Sequence, residues 1–215
     1  MVKTRTHYVT DKAEGFELRF EPVEDSITVE KTDEGFTVKY LILDDNDQTN
    51  NPRENCDELG TMACFHRRYD LGDKNHGINS DDYSGWAVME KALIKAGAYV
   101  VLPLYLFDHS GITMSVDPER FRACDSAGWD WGQVGFIFVN KDKVRKEYGK
   151  LGKKTRERVT SVLLAEVETY DMYLRGEVYC CVRETFNPDK VQIDYDTCGG
   201  YIGEKYALEA LKEDM

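Results

Sequence analysis

Alternation of apolar and polar positions dominates the start of the chain. Residues 16–20 (Phe-Glu-Leu-Arg-Phe), 27–30 (Ile-Thr-Val-Glu) and 36–40 (Phe-Thr-Val-Lys-Tyr) each alternate, and the third run continues apolar to Leu43. A period of two places every second side chain on one face, as in half-buried antiparallel strands. Three short strands are therefore predicted, with turns at residues 22–26 and 32–35. A polar loop follows, from Asp44 to Pro52.

The pattern then changes. Trp86, Met89, Ala92 and Leu93 recur at helical spacing, so residues 84–95 read as a helix capped by Ser84 and ended near Gly97. Residues 99–107 and 134–139 are nearly continuous apolar runs, the signature of central strands covered on both faces. A helix is predicted from Lys141, broken by Gly149 and Gly152. A longer one is predicted over residues 155–175, with Thr155 as its cap and a stripe of Val159, Val162, Leu163, Val167, Tyr170 and Leu174. Residues 177–184 and 191–195 read as strands and 204–212 as a closing helix. The expected fold is α+β: a mixed, largely antiparallel sheet with the long helix packed on one face. Residues 1–50 form an acidic strand region and residues 51–215 the core domain.

With 215 residues, 41% of them hydrophobic, the chain is long enough to bury a sizeable core. No apolar run approaches the roughly 20 residues that cross a bilayer, and no secretion signal is read at the start. The six cysteines, at 56, 64, 124, 180, 181 and 198, form no Cys-x-x-Cys pair. They are expected to be reduced thiols in a cytoplasmic protein.

Charge adds a direction to this picture. The formal net charge is −12, distributed unevenly. Residues 1–60 hold 15 acids against 7 bases and residues 161–215 hold 12 against 5, whereas residues 140–160 hold 3 against 9. Such a surface repels nucleic acid and anionic membrane; it reads as a solubility surface, or alternatively as one complementary to a basic partner. The basic stretch reads as the solvated face of two helices, or alternatively as a phosphate-binding patch.

Candidate chemistry is sparse. Asp108-His109-Ser110-Gly111 ends one apolar run, but three consecutive side chains cannot form a nucleophile–base–orienter chain. Cys64, His66 and His76 are metal-ligand types at no recognised zinc spacing. The Asp44–Pro52 loop lacks the glycine and glutamate of a helix-loop-helix calcium site. The loop at residues 124–133 carries Trp129 and Trp131; it either packs its indoles onto its own sheet or forms a recognition loop, tryptophan being a frequent interface anchor. No phosphate-binding or dinucleotide-binding glycine motif is present.

Several segments do carry a resemblance. They are Asn51-Pro52-Arg53, Gly60-Thr61-Met62 running into Cys64-Phe65-His66-Arg67-Arg68-Tyr69, and Leu102-Pro103-Leu104-Tyr105-Leu106 followed by Asp108-His109-Ser110-Gly111-Ile112-Thr113-Met114-Ser115. Leu71-Gly72-Asp73, Gly132-Gln133-Val134-Gly135-Phe136-Ile137 and Glu147-Tyr148-Gly149 complete the set. Together they resemble an uncharacterised family of phages and mobile elements of Gram-positive bacteria. Trp131 stands where that family has Ser, and Gly199 where it has Trp. The resemblance implies a phage setting but no activity.

Charge and setting together lead to the expectation of an accessory protein, in the bacterial cytoplasm, that binds and inhibits a basic, nucleic-acid-handling host defence protein without catalysis. The residues expected to meet that partner are Asp44, Asp45, Asp47, Glu166 and Glu168, with Asp108, His109, Trp129, Asp130, Trp131 and Gln133 from the two strand-end loops. No catalytic residue, metal ligand, cofactor or membrane contact is expected. The alternatives are an enzyme acting on a nucleotide or signalling molecule through Asp108, His109 and the His66 region, and a nucleic-acid binder working through residues 141–158.

Overall fold

The computed structural model describes residues 13–44, 50–55 and 57–213. In chain order the elements are β1 (Thr28–Thr32), β2 (Gly35–Leu43), α1 (Pro52–Asn55), β3 (Thr61–Cys64), α2 (Trp86–Lys95), β4 (Ala98–Asp108), β5 (Ile112–Ser115), α3 (Glu119–Arg122), β6 (Trp131–Asn140), α4 (Lys141–Tyr148), α5 (Lys153–Leu174), β7 (Val178–Phe186), β8 (Gln192–Ile202) and α6 (Glu204–Glu213). The α+β class holds. The strands divide into two four-stranded sheets rather than one, and every pairing between named strands is antiparallel.

The chain forms two compact units. One comprises residues 1–50 and 176–215, the other residues 51–175. The sequence reading kept 176–215 with the core, whereas those residues supply half of the first unit's sheet: β7 pairs along β2 from Phe36↔Phe186 to Leu43↔Tyr179. Charge follows this division. The first unit carries 21 acids and 10 bases, the second 19 and 18, so nearly all of the net charge lies in the first.

In the first unit the strand order is β1-β2-β7-β8. One face packs Val38, Tyr40, Val182 and Phe186 against Phe16 and Ile27. The other packs Leu41, Tyr179 and Cys181 beneath Ala207 and Leu211 of α6. The strand predicted over residues 16–20 does not form. There the backbone N–H of Arg19 donates to the Glu184 carboxylate at 2.9 Å and that of Phe20 to the Tyr40 hydroxyl oxygen at 3.3 Å, so side chains take the place of a ladder. Glu184 is fully buried, its carboxylate also accepting from the Tyr40 hydroxyl. Burial and the Glu184 contact both push the Tyr40 phenol pKa upward.

In the second unit the order is β3-β6-β4-β5. The two apolar runs are neighbours, as β4 and β6, paired from Ala98↔Asn140 to Phe107↔Trp131. Helix α5 lays Val159, Leu163, Val167 and Tyr170 on one face, against Met62, Leu104 and Ile137. Met89 and Leu93 of α2 cover Ala63, Phe136 and Phe138 on the other. This two-sided cover explains why neither run alternates. Two predicted caps differ: α2 starts after Gly85, not Ser84, and α5 after Gly152, not Thr155, neither with a side-chain cap bond. Among the described residues no helix is long and apolar enough to cross a membrane.

Candidate functional site

Because β4 and β6 run antiparallel, the loop that leaves β4 and the loop that enters β6 lie at one end of the sheet. Phe107 sits opposite Trp131, and the Asp108 N–H donates to the Asp130 carbonyl at 2.7 Å. One step further, His109 Nδ1 and Asp130 Oδ2 are 2.9 Å apart. Asp108 is held from the other side, by an ion pair with Arg68 and by the Tyr69 hydroxyl at 3.2 Å. The ring of Tyr69 stacks on His66 at 5.0 Å, and His66 Nδ1 accepts the Arg68 N–H at 3.3 Å. His66, Arg68, Asp108, Trp129 and Gln133 help line a depression of ≈ 290 Å³.

The feature that orders this end is Asp125. Its Oδ1 accepts the N–H groups of Ala127 and Gly128 at 3.1 and 3.2 Å, and its Oδ2 those of Trp129 and Asp130 at 2.6 and 2.9 Å. The Trp131 indole N–H donates to the Asp125 carbonyl at 2.8 Å. One aspartate thus satisfies four consecutive backbone donors, as a nest does for an anion. The bonds from Asp130, Trp129, Ala127 and Gly128 hold its carboxyl below the usual aspartate pKa. Within this tied loop the Trp129 side chain points away from the protein and is 87% exposed.

The two tryptophans therefore differ in role. Trp131 is half-buried, edge-on to Tyr105 at 6.2 Å and tied by its indole N–H, so it is a packing residue and not the anchor expected of it. Trp129 stays available. Gln133 is half-buried, its amide donating to the Gly135 carbonyl at 3.3 Å. Asp108 is charge-paired by Arg68, and Asp130 is engaged by the His109 ring.

The acidic positions need more correction. Glu166 is not a surface acid: its side chain is 5% exposed and receives Arg53 Nη1 at 3.1 Å, the Leu59 N–H at 2.7 Å and the Gly60 N–H at 3.0 Å. Arg53, 2% exposed, also forks onto Asp73 at 2.7 and 3.0 Å. The helical stripe of α5 passes through Glu166, and a buried charge on such a stripe needs a buried partner. Beside it, burial and the neighbouring Glu166 carboxylate raise the Glu58 carboxyl to about 7. Glu168 is exposed. Asp44 is half-buried and accepts the Gly200 N–H at 3.1 Å, which ties it to its own unit. Asp45 and Asp47 lie outside the described residues.

Among the described residues no Ser, Thr or Cys side chain hydrogen-bonds to His109, whose ring nitrogen meets Asp130. Burial raises the Cys64 thiol to about 12, far from thiolate chemistry at neutral pH. Among the described residues no group of three His, Cys, Asp or Glu is gathered as a metal site requires. Nearly all of the basic side chains of residues 141–158 lie on the exposed surfaces of α4 and α5. Comparison of the chain with models of protein families, with curated proteins and with solved structures found no match in any of the three.

Asp125 was the residue that sequence reasoning missed. Its signal is an Asp followed by a short run of small residues, Ser126-Ala127-Gly128, ahead of an aromatic. That composition favours a side-chain-capped turn. The burial of Glu166 had no local signal, since its cation Arg53 lies 113 positions away.

Proposed function

We propose that the protein is a non-catalytic binding protein. It docks on a basic, nucleic-acid-handling protein of host defence in the bacterial cytoplasm and blocks it by occupying its nucleic-acid surface. The observation that carries the reading is Trp129. A large aromatic side chain almost wholly in water is costly to display, and its loop is held in place by four bonds to one carboxylate. A pre-ordered aromatic anchor loses little entropy when it enters a partner's pocket, which is the character of a binding hot spot. The excess of 21 acids over 10 bases in the first unit supports a basic partner and gives charge-steered encounter. The defence setting rests on the resemblance to phage and mobile-element proteins.

The test is affinity capture from a Gram-positive host lysate, identification of what is captured, and assay of its activity with and without this protein. Capture of a basic nucleic-acid enzyme whose activity falls on binding is the expected result. Capture of no such enzyme, or capture with full activity retained, contradicts the proposal.

A further inference from the structure

The first unit's sheet ends in β8, whose outer side meets no strand among the described residues. It runs 11 residues, and eight of them, from Ile193 to Gly200, are exposed. Ile193 is 60% and Tyr195 45% exposed, and Val191 just before the strand is 58% exposed. At the opposite edge β1 has only five residues, with Glu30 and Lys31 of both signs. Short, mixed-charge edges are the common way to prevent pairing with other chains. β8 is long, carries apolar side chains and has only acids on it, Asp194 and Asp196.

Those two acids occupy the edge in a specific manner. Asp194 Oδ1 accepts the N–H of Tyr195 and Asp196 Oδ1 accepts the N–H of Thr197, each at 2.9 Å. In an antiparallel ladder successive residues turn their N–H groups to opposite sides. Tyr195 and Thr197 are two residues apart and so share a side. A strand adding to β8 must offer carbonyls to these two N–H groups and displace both carboxylates. A neutral or acidic strand would leave the freed Asp194 uncompensated and Asp196 with only a long, exposed contact to Arg183 at 3.7 Å. A second copy of this chain pairing through its own β8 would bring like charges together. A strand bearing Lys or Arg supplies both exchanges at once, carbonyls for the N–H groups and cations for Asp194 and Asp196.

We infer that β8 is a docking edge for an extended, Lys- or Arg-bearing segment of the partner protein, added as a fifth strand by β-augmentation. This rests on the reading above that the partner is basic, and it names the element that receives it.

The test uses the full chain and backbone amide exchange, with a peptide of alternating Lys and Val as the probe. Its controls are the Glu-Val counterpart and a Lys-Val peptide N-methylated on alternate residues, which keeps the charge and cannot complete a ladder. Expected is a slowing of the Tyr195 and Thr197 amides by at least about tenfold with the Lys-Val peptide alone. The double substitution D194N/D196N keeps oxygen acceptors for both N–H groups, preserves the strand and removes the charge. It should abolish that protection. Equal protection by the N-methylated peptide, equal protection of the double variant, or amides already slow in the free protein would each overturn the inference. Failure here with capture of a basic partner intact removes the docking edge alone. Loss of that capture with peptide protection intact removes the proposed function alone.

Discussion

The Trp129 N–H donates to the Asp125 carboxylate at 2.6 Å while the Trp129 indole stands 87% exposed. Backbone order and side-chain exposure at one residue thus have a single cause. The four N–H groups of residues 127–130 are satisfied internally, so the loop needs no packing of its aromatic side chain to stay in place.

Replacing Asp125 with Ala should release that loop without unfolding the domain. Amides of residues 127–130 are expected to exchange faster and Trp129 fluorescence anisotropy to fall, while the melting temperature changes little. The wild-type loop should also respond to acid. Because the folded Asp125 pKa is depressed, its stabilising effect is complete above the ordinary aspartate range, near about pH 4. It is lost as pH falls through the lower folded value. The fluorine NMR line of Trp129 in wild-type protein labelled with 5-fluorotryptophan, followed from neutral pH downward, checks this.

Arg53 holds the second unit together from inside. Removing one partner of a buried ion pair leaves the other charged and desolvated, at a cost of about 3–5 kcal/mol. Arg53→Met is expected to lower unfolding free energy by that order, because Glu166 and Asp73 both lose their cation. Chemical denaturation measures it. A loss below about 1 kcal/mol would place the pair among surface salt bridges instead.

Glu58 makes the same region sensitive to pH in the opposite sense from Asp125. Its carboxyl is raised to about 7, so between the ordinary glutamate value and about 7 the folded state holds a proton that the unfolded state has lost. Stability therefore falls as pH rises through that window. Glu58→Gln should flatten the dependence, melting higher than wild type at pH 8 and close to it at pH 5. Parallel curves for the two proteins from pH 5 to 8 would contradict the Glu58–Glu166 coupling.

Much of the second unit was legible because apolar runs and helical stripes are local signals. Residues 99–107 and 134–139 became β4 and β6, and Val159, Leu163, Val167 and Tyr170 became the buried side of α5. The shared end of the two loops followed from their antiparallel pairing. What the sequence concealed was non-local. Arg19 N–H donates to Glu184 across 165 positions, which cancelled a strand that alternation alone predicts. Glu166 reads as a surface acid until Arg53, 113 positions away, is brought beside it. The two tryptophans were indistinguishable by composition. The backbone path that ties Trp131 inward and turns Trp129 outward separates them.

The central claim is that Trp129 anchors a basic partner while acids of the first unit steer it. The most direct measurement is the binding kinetics of wild type and Trp129→Ala with the captured partner, at low and high salt. Trp129→Ala should keep its stability within about 0.5 kcal/mol and weaken binding by about 2 kcal/mol or more, roughly thirtyfold, through a faster off-rate. Association of both proteins should slow as the Debye length shrinks from about 10 Å at 0.1 M salt to about 3 Å at 1 M. Unchanged affinity in Trp129→Ala, with association insensitive to salt, would contradict the account.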